Sequence, residues 1–125
     1  MARNPMKPKV LFVDDERGVH AAWKLQLADL GDKVEIVQAF TVDEAIEQFK
    51  ANPDLAAIVL DGYLSGHSTV PEALALIKEF SPTFTGPMIS VSSDEFVRMR
   101  CVAMGCTHEC QKRDLPRRLI AILKL

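Results

Sequence analysis

Several absences narrow the reading of this sequence before any motif is considered. No apolar stretch in its 125 residues approaches the roughly 18 consecutive apolar positions of a membrane-spanning helix. The opening "MARNPMKPK" has no apolar h-region of the kind a signal peptide carries, so a cytoplasmic location without membrane contact is expected. The three cysteines, Cys101, Cys106 and Cys110, are odd in number and clustered, which is not a disulfide framework and fits reduced thiols in the cytoplasm. Positive charge is not in excess either. A net charge of −2 gives no broad positive field for nucleic acid or a membrane surface, and direct nucleic-acid binding is not expected. Internal repeats, linkers and low-complexity segments are also missing.

What remains has ordinary globular composition, 48% hydrophobic and 26% charged, in a length suited to one domain with a single layered core. "KVLFV" (9–13) is a short β-branched and aromatic run that stops on "DDE". From Arg17 to Leu30, Val19, Trp23, Leu27 and Leu30 fall at helical spacing before Gly31, and the aromatics in this spacing are most simply core. "KVEIVQAF" is a second strand. "TVDEAIEQFKAN" opens on Thr41 with Glu44 three residues on, a capping-box pattern, and ends at Pro53. The third strand is Leu55 to Leu60, and "VPEALALIKEF" reads as a helix with Pro71 near its first turn. "PMISVSS" is a fourth strand, and "DEFVRMRCVAM" a helix with two acids in its first turn, stopped by Gly105. "CTHECQK" is a weaker fifth strand, and "DLPRRLIAILKL" a closing helix with Asp114 as N-cap and Pro116 in its first turn. Five strands alternating with five helices imply an α/β fold, a parallel sheet covered on both faces by right-handed crossovers.

The stretch "AAIVLDGYL" (56–64) poses the functional question, because a core strand here ends on the carboxylate of Asp61 with a glycine behind it, and an unpaired buried charge is unfavourable by several kcal/mol. Taken alone, Asp61 reads as a turn or N-cap residue, Asp14 and Asp15 as caps of the first helix, Ser92 and Ser93 as a helix start, and Lys112 as a solvated surface charge. In a doubly wound sheet, however, strand C-termini share one edge, where ligands bind. Asp14, Asp15, Asp61, Ser92 and, if the fifth strand forms, Lys112 all fall there. Gathered carboxylates repel and drift toward protonation unless a cation neutralises them. Oxygen-only donors favour Mg²⁺ or Mn²⁺ over zinc, and such an ion completes its shell with phosphate oxygens. A lysine beside it supplies a second clamp for phosphoryl oxygens, and an aspartate can act as nucleophile to give an aspartyl-phosphate.

In order and spacing, "VLFVDDE", "IVLDGYL", "PMISVSS" and "GCTHECQK" resemble the receiver domain of two-component response regulators, from about Pro8 to Leu125 with a tail at 1–7. The resemblance implies a flavodoxin-like fold, a five-stranded sheet ordered 2-1-3-4-5 with helices on both faces, and a stand-alone receiver. It implies Asp61 as phosphoacceptor, taking a phosphoryl group from a histidine kinase or a small phosphodonor, with relay onward to a histidine phosphotransfer protein as an alternative to direct output. Asp15 would bind Mg²⁺ directly, Asp14 through water, and the backbone carbonyl of Tyr63 would complete the protein ligands. Lys112 would pair with one phosphoryl oxygen. Ser92 would hydrogen-bond another and reorient on phosphorylation, and small Ser93 would leave room for the group. The family pattern is departed from at Leu64 and Ser65, where Met-Pro is common, at Thr69, where glycine is common, at Glu109, where an aromatic switch residue is expected, and at Arg113, where a proline is usual. A cis peptide bond after Lys112 is then unfavourable.

Such a chain would be a bacterial-type signalling switch, not an enzyme beyond its own phosphoryl transfer and dephosphorylation, acting on a downstream protein effector. Arg98, Arg100, Arg113, Arg117 and Arg118 are expected around the face of the fourth helix, fifth strand and fifth helix. That face would carry partner contacts, with a monomer or weak dimer expected, or simply be a solvated surface balanced by acids. The alternative function is a degenerate receiver acting as a phosphorylation-independent interaction module. Cys106, His108 and Cys110 alternate, but three ligands at this spacing match no usual zinc motif. The initiating Met1 and the completed last helix point to a whole gene product.

Overall fold

The computed structural model describes residues 7–64 and 71–125, which leaves Ser65 and Thr69 outside it. The elements are β1 (Lys9–Val13), α1 (Arg17–Asp29), β2 (Glu35–Ala39), α2 (Val42–Ala51), β3 (Leu55–Leu60), α3 (Glu72–Phe80), β4 (Met88–Ser90), α4 (Glu95–Met104), β5 (His108–Glu109) and α5 (Leu115–Ile122), with a 3₁₀ turn at Lys112–Asp114 before α5. All strand pairs are parallel and the sheet order is β2-β1-β3-β4-β5. This is the doubly wound order expected from the sequence.

The pleat assigns alternate residues of the central strands to two cores. Leu11, Val13, Ile58 and Leu60 face the side covered by α2, α3 and α4, where they meet Ala45, Leu76, Phe80 and Val97. Val10, Phe12, Ala57 and Val59 face α1 and α5, packing with Trp23, Leu27, Leu115 and Leu119. Buried on both faces, β1 and β3 are accordingly near-continuous apolar runs. Each fully buried Leu, Ile, Val or Phe contributes roughly 1.5–3 kcal/mol of transfer free energy.

Local signals place the ends. The Thr41 hydroxyl accepts from Glu44 N at 3.1 Å, while the Glu44 carboxylate reaches back to Phe40 N at 2.8 Å, one residue before the partner an ideal capping box would use. Pro71 is the N-cap of α3. Asp94 caps α4 through Phe96 N and Val97 N, so it precedes the first turn in which it was expected. Gly105, at φ 138, closes that helix in a region that disfavours a side chain.

Three expectations at the sheet edge need correction. β4 ends at Ser90, so Ser92 lies two residues past the ladder. β5 is an edge strand of two residues, paired only to Ile89 and Ser90, so Lys112 does not end it but opens the 3₁₀ turn. Asp114 stands before α5 with helical backbone angles and no side-chain capping bond, because the 3₁₀ turn already delivers the chain in helical conformation.

Candidate functional site

Backbone bonds carry the edge of the sheet one residue past each strand and so fix the acids. Asp14 N donates to Ala39 O at 3.1 Å and Asp61 N to Val13 O at 2.9 Å, which sets the two aspartates side by side at the C-termini of β1 and β3. Asp14 is fully buried and Asp61 nearly so, whereas Asp15 is exposed. A carboxylate oxygen from each of Asp14, Asp15 and Asp61 lies within 4.8 Å of the other two. Asp14 Oδ1 also accepts from Glu16 N at 2.8 Å, so the turn into α1 and the acid cluster use the same side chain.

Lys112 enters from the far side of the sheet. Its Nζ stands 2.8 Å from Asp14 Oδ2 and 3.3 Å from Asp61 Oδ1. Burial and then the Asp14 charge push the Asp61 carboxyl up from the usual 3.8 to about 6, against the lowering effect of Lys112 and of the Gly62 N–H, which donates to Asp61 Oδ1 at 2.9 Å. For Lys112, burial opposes the charge, but the hydrogen bond to Asp14 and the two carboxylate charges outweigh it and raise its pKa. One ammonium against two buried carboxylates and a third at the rim leaves the site short of positive charge. An all-oxygen donor set in that state fits a hard divalent cation.

Gly62 sits behind Asp61 for a steric reason. A Cβ there would lie 2.6 Å from Val97 Cγ1 and 3.0 Å from Ser92 Oγ. The glycine lets α4 and the chain after β4 close onto the acid. Ser92 is buried, its Oγ accepting from Asp94 N at 3.2 Å. Exposed Ser93 lines a cavity of about 310 Å³ with Gln111, Lys112 and Arg113. Tyr63 follows in the same turn, partly buried against the α2/α3 core. Leu64 is buried in that core, and its N–H donates to Glu72 Oε1 at 3.2 Å.

The remaining departures have definite places. Exposed Glu109 accepts from Arg98 Nε at 2.8 Å, and Arg98 also donates from Nη1 to Ser92 O at 2.7 Å. Arg98, Arg117 and Arg118 line a cavity of about 540 Å³ with Glu109 and Asp114. Arg113 borders the Ser93 cavity and, on its other side, a crevice beside α1 with Gln26, Asp29 and Leu30. The peptide bonds of the described residues are all trans. Cys106 is buried and hydrogen-bonded to Cys101, a contact that lowers the Cys101 thiol to about 7 and, with burial, raises Cys106. Thr107 occupies His108 Nδ1 at 2.8 Å. Among the described residues, the three aspartates are the one cluster suited to a metal.

Two α1 residues near the acids carry more than the periodicity suggested. His20 is buried and its Nε2 donates to Asp14 O at 2.8 Å. Trp23 Nε1 donates to Lys112 O at 3.0 Å. The available signal was position: both lie on the inward face of the helix that directly follows "DDE".

No protein-family model matches the chain. Solved structures do, and those named below are response regulators or their receiver domains. A response regulator receiver protein from Burkholderia phymatum superposes with a TM-score of 0.74 at 21% identity, covering 95% of this chain and 97% of that one. The BeF3-activated N-terminal receiver domain of Klebsiella pneumoniae RstA gives 0.70 at 22% identity, with 94% and 99% covered. A Burkholderia pseudomallei response regulator with a phosphorylated aspartic acid, calcium ion and citrate gives 0.74 at 19% identity, with 94% and 66% covered. The fold of this chain is therefore the flavodoxin-like fold of response-regulator receiver domains. No helix among its described residues is long and apolar enough to cross a membrane.

Proposed function

We propose that this chain is a phosphorylation-controlled receiver, a signalling switch that accepts a phosphoryl group on Asp61. The observation that carries the reading is the convergence of Asp14, Asp15 and Asp61 within 4.8 Å, with the Lys112 ammonium on two of them. That the similar Burkholderia pseudomallei protein holds a phosphorylated aspartic acid and a calcium ion supports it.

In the transfer, an Asp61 carboxylate oxygen attacks the phosphorus of the donor. A new P–O bond forms, and the bond from phosphorus to a histidine nitrogen or a carboxylate oxygen of the donor breaks, its electron pair leaving with the donor. Asp61 Oδ1 is engaged by Gly62 N and Lys112, and the less engaged Oδ2 would make the attack. Asp14, Asp15, Asp61 and the Tyr63 carbonyl would hold Mg²⁺, which when bound neutralises the carboxylates and the phosphoryl oxygens. Lys112 pairs with one phosphoryl oxygen, and the Ser92 hydroxyl, which accepts from Asp94 N, donates its proton to another. Ser93 keeps the entrance open.

The output runs through Arg98, which joins Ser92 O to Glu109 where an aromatic switch residue would otherwise stand. It emerges on the face of α4, β5 and α5, where Arg98, Glu109, Asp114, Arg117 and Arg118 line a cavity, a charged surface suited to a protein effector or a weak dimer. A histidine kinase or a small phosphodonor is the donor, a histidine phosphotransfer protein a recipient in relay, and the cytoplasm the compartment. The test is intact mass after incubation with acetyl phosphate and Mg²⁺. A gain of one phosphoryl group that disappears in Asp61→Asn is expected; no gain from acetyl phosphate or from a panel of kinases overturns the reading.

A further inference from the structure

We propose that Trp23 is a positioning residue for Lys112, acting through its indole N–H. The proposal rests on the reading of Asp61 as phosphoacceptor and adds to it the group that aims the site's ammonium. Few local bonds hold Lys112: the β5 side ends with the bond from Cys110 N to Ser90 O, the turn that Lys112 opens is three residues long with Leu115 N donating to the Lys112 carbonyl, and Arg113 sets no ring constraint on the backbone behind it. The Nε1–H of Trp23 spans 89 positions of sequence to donate to the Lys112 carbonyl at 3.0 Å. It fixes the point from which the lysine side chain reaches Asp14 and Asp61.

The indole is itself fixed. It is 2% exposed, its centroid is 5.3 Å from that of Phe12 on β1, and it meets His20 edge-on at 5.9 Å. His20, one helical turn earlier, carries its ring hydrogen on Nε2, because that atom donates to the Asp14 carbonyl; its Nδ1 has no partner among the described residues. The inward face of α1 thus grips the backbone of both members of the Lys112–Asp14 pair. A phenyl ring would fill much of the same apolar space. The N–H is what a purely packing role does not require.

The test replaces Trp23 by Phe in the full chain, alone and with Lys112→Ala. Lys112 occupies the carboxylates that a divalent cation needs, so Lys112→Ala tightens Mg²⁺ binding measured by calorimetry. Trp23→Phe is expected to move Mg²⁺ affinity in the same direction and to slow phosphorylation by acetyl phosphate roughly three- to tenfold, the factor given by losing one hydrogen bond of ordinary strength. In the Lys112→Ala background it should change neither. Equal effects in both backgrounds, or none in either, overturn the proposal. If the parent chain accepts no phosphoryl group, the functional reading falls, and the Mg²⁺ affinities alone still decide the role of Trp23. Should Trp23→Phe not fold, the indole N–H resonance of the parent chain decides. Slow exchange with a shift in Lys112→Ala supports the bond, and exchange at the rate of free indole removes it.

Discussion

The raised pKa of Asp61 ties the chemistry of the site to the stability of the fold. In the unfolded chain the carboxyl loses its proton near 3.8, in the folded one near 6. Between those values the folded state binds more protons, so the stability attached to this group is fully present below 3.8 and is lost as pH rises through 6. Above 6 the folded protein carries a buried carboxylate that Lys112 and Gly62 only partly compensate. Asp61→Asn keeps the shape and the acceptor for Gly62 N and removes the charge. At about 1.4 kcal/mol per pH unit, the variant should be more stable than the parent by roughly 2–3 kcal/mol near pH 8 without metal. For a domain of this size that is a rise in Tm on the order of 6–15 °C. The assay is thermal and urea unfolding of both proteins in chelator across the range from about pH 4.5 to 8, where the gap should open through the Asp61 titration. Millimolar Mg²⁺ should narrow it, because a cation that binds only the folded parent stabilises the parent alone. A gap that is absent at high pH, or equal at every pH, or unaltered by Mg²⁺, refutes the account of Asp61 as a charge held at a desolvation penalty for a cation.

Other residues give independent checks. Gly62→Ala forces a methyl against Val97 and Ser92 and should destabilise by about 1–3 kcal/mol in urea unfolding while slowing phosphoryl acceptance. Arg98→Ala removes charge-assisted bonds to Ser92 O and Glu109 from a side chain only 11% exposed, and about 1–2 kcal/mol should be lost. Glu109→Ala, whose side chain is 42% exposed, should lose less than about 1 kcal/mol by the same measurement. Thr41→Ala deletes the α2 cap and should lower unfolding free energy by about 1 kcal/mol without altering phosphorylation.

The reach of the sequence differs from element to element. β1 and β3 were legible to the residue because strands buried on both faces are written as unbroken apolar runs, and the acids that end them mark the sheet edge. The alternation of five strand and helix patterns set a parallel sheet with one common edge, and with it the convergence of Asp14, Asp15 and Asp61, while the strand order came with the resemblance to receiver domains. The helix start at Thr41 followed from local capping chemistry, which involves only neighbouring residues, whereas Asp94, read as part of a first turn, is the cap itself. Past the short β4 and β5 the local pattern weakens, since so few residues carry too little periodicity to fix an end. The positions of Ser92, Lys112 and Arg113 there were settled by packing.

The contacts that aim the site are of another kind. Trp23 with Lys112, His20 with the Asp14 carbonyl, and Arg98 with Ser92 and Glu109 each join residues or backbone atoms with no shared periodicity. In the sequence, Trp23 reads as a core aromatic, which its burial bears out, and Glu109 as a departure from the family pattern. Their hydrogen-bonding roles exist only once the sheet has brought strand ends and helix faces together. The sequence by itself determined which carboxylates this protein gathers, because alternation of strand and helix dictates a common edge. Only the tertiary structure decided how the Lys112 ammonium reaches them and how Arg98 ties Ser92 to Glu109, because a hydrogen bond such as that of Trp23 to Lys112 across 89 residues depends on distances that no local pattern encodes.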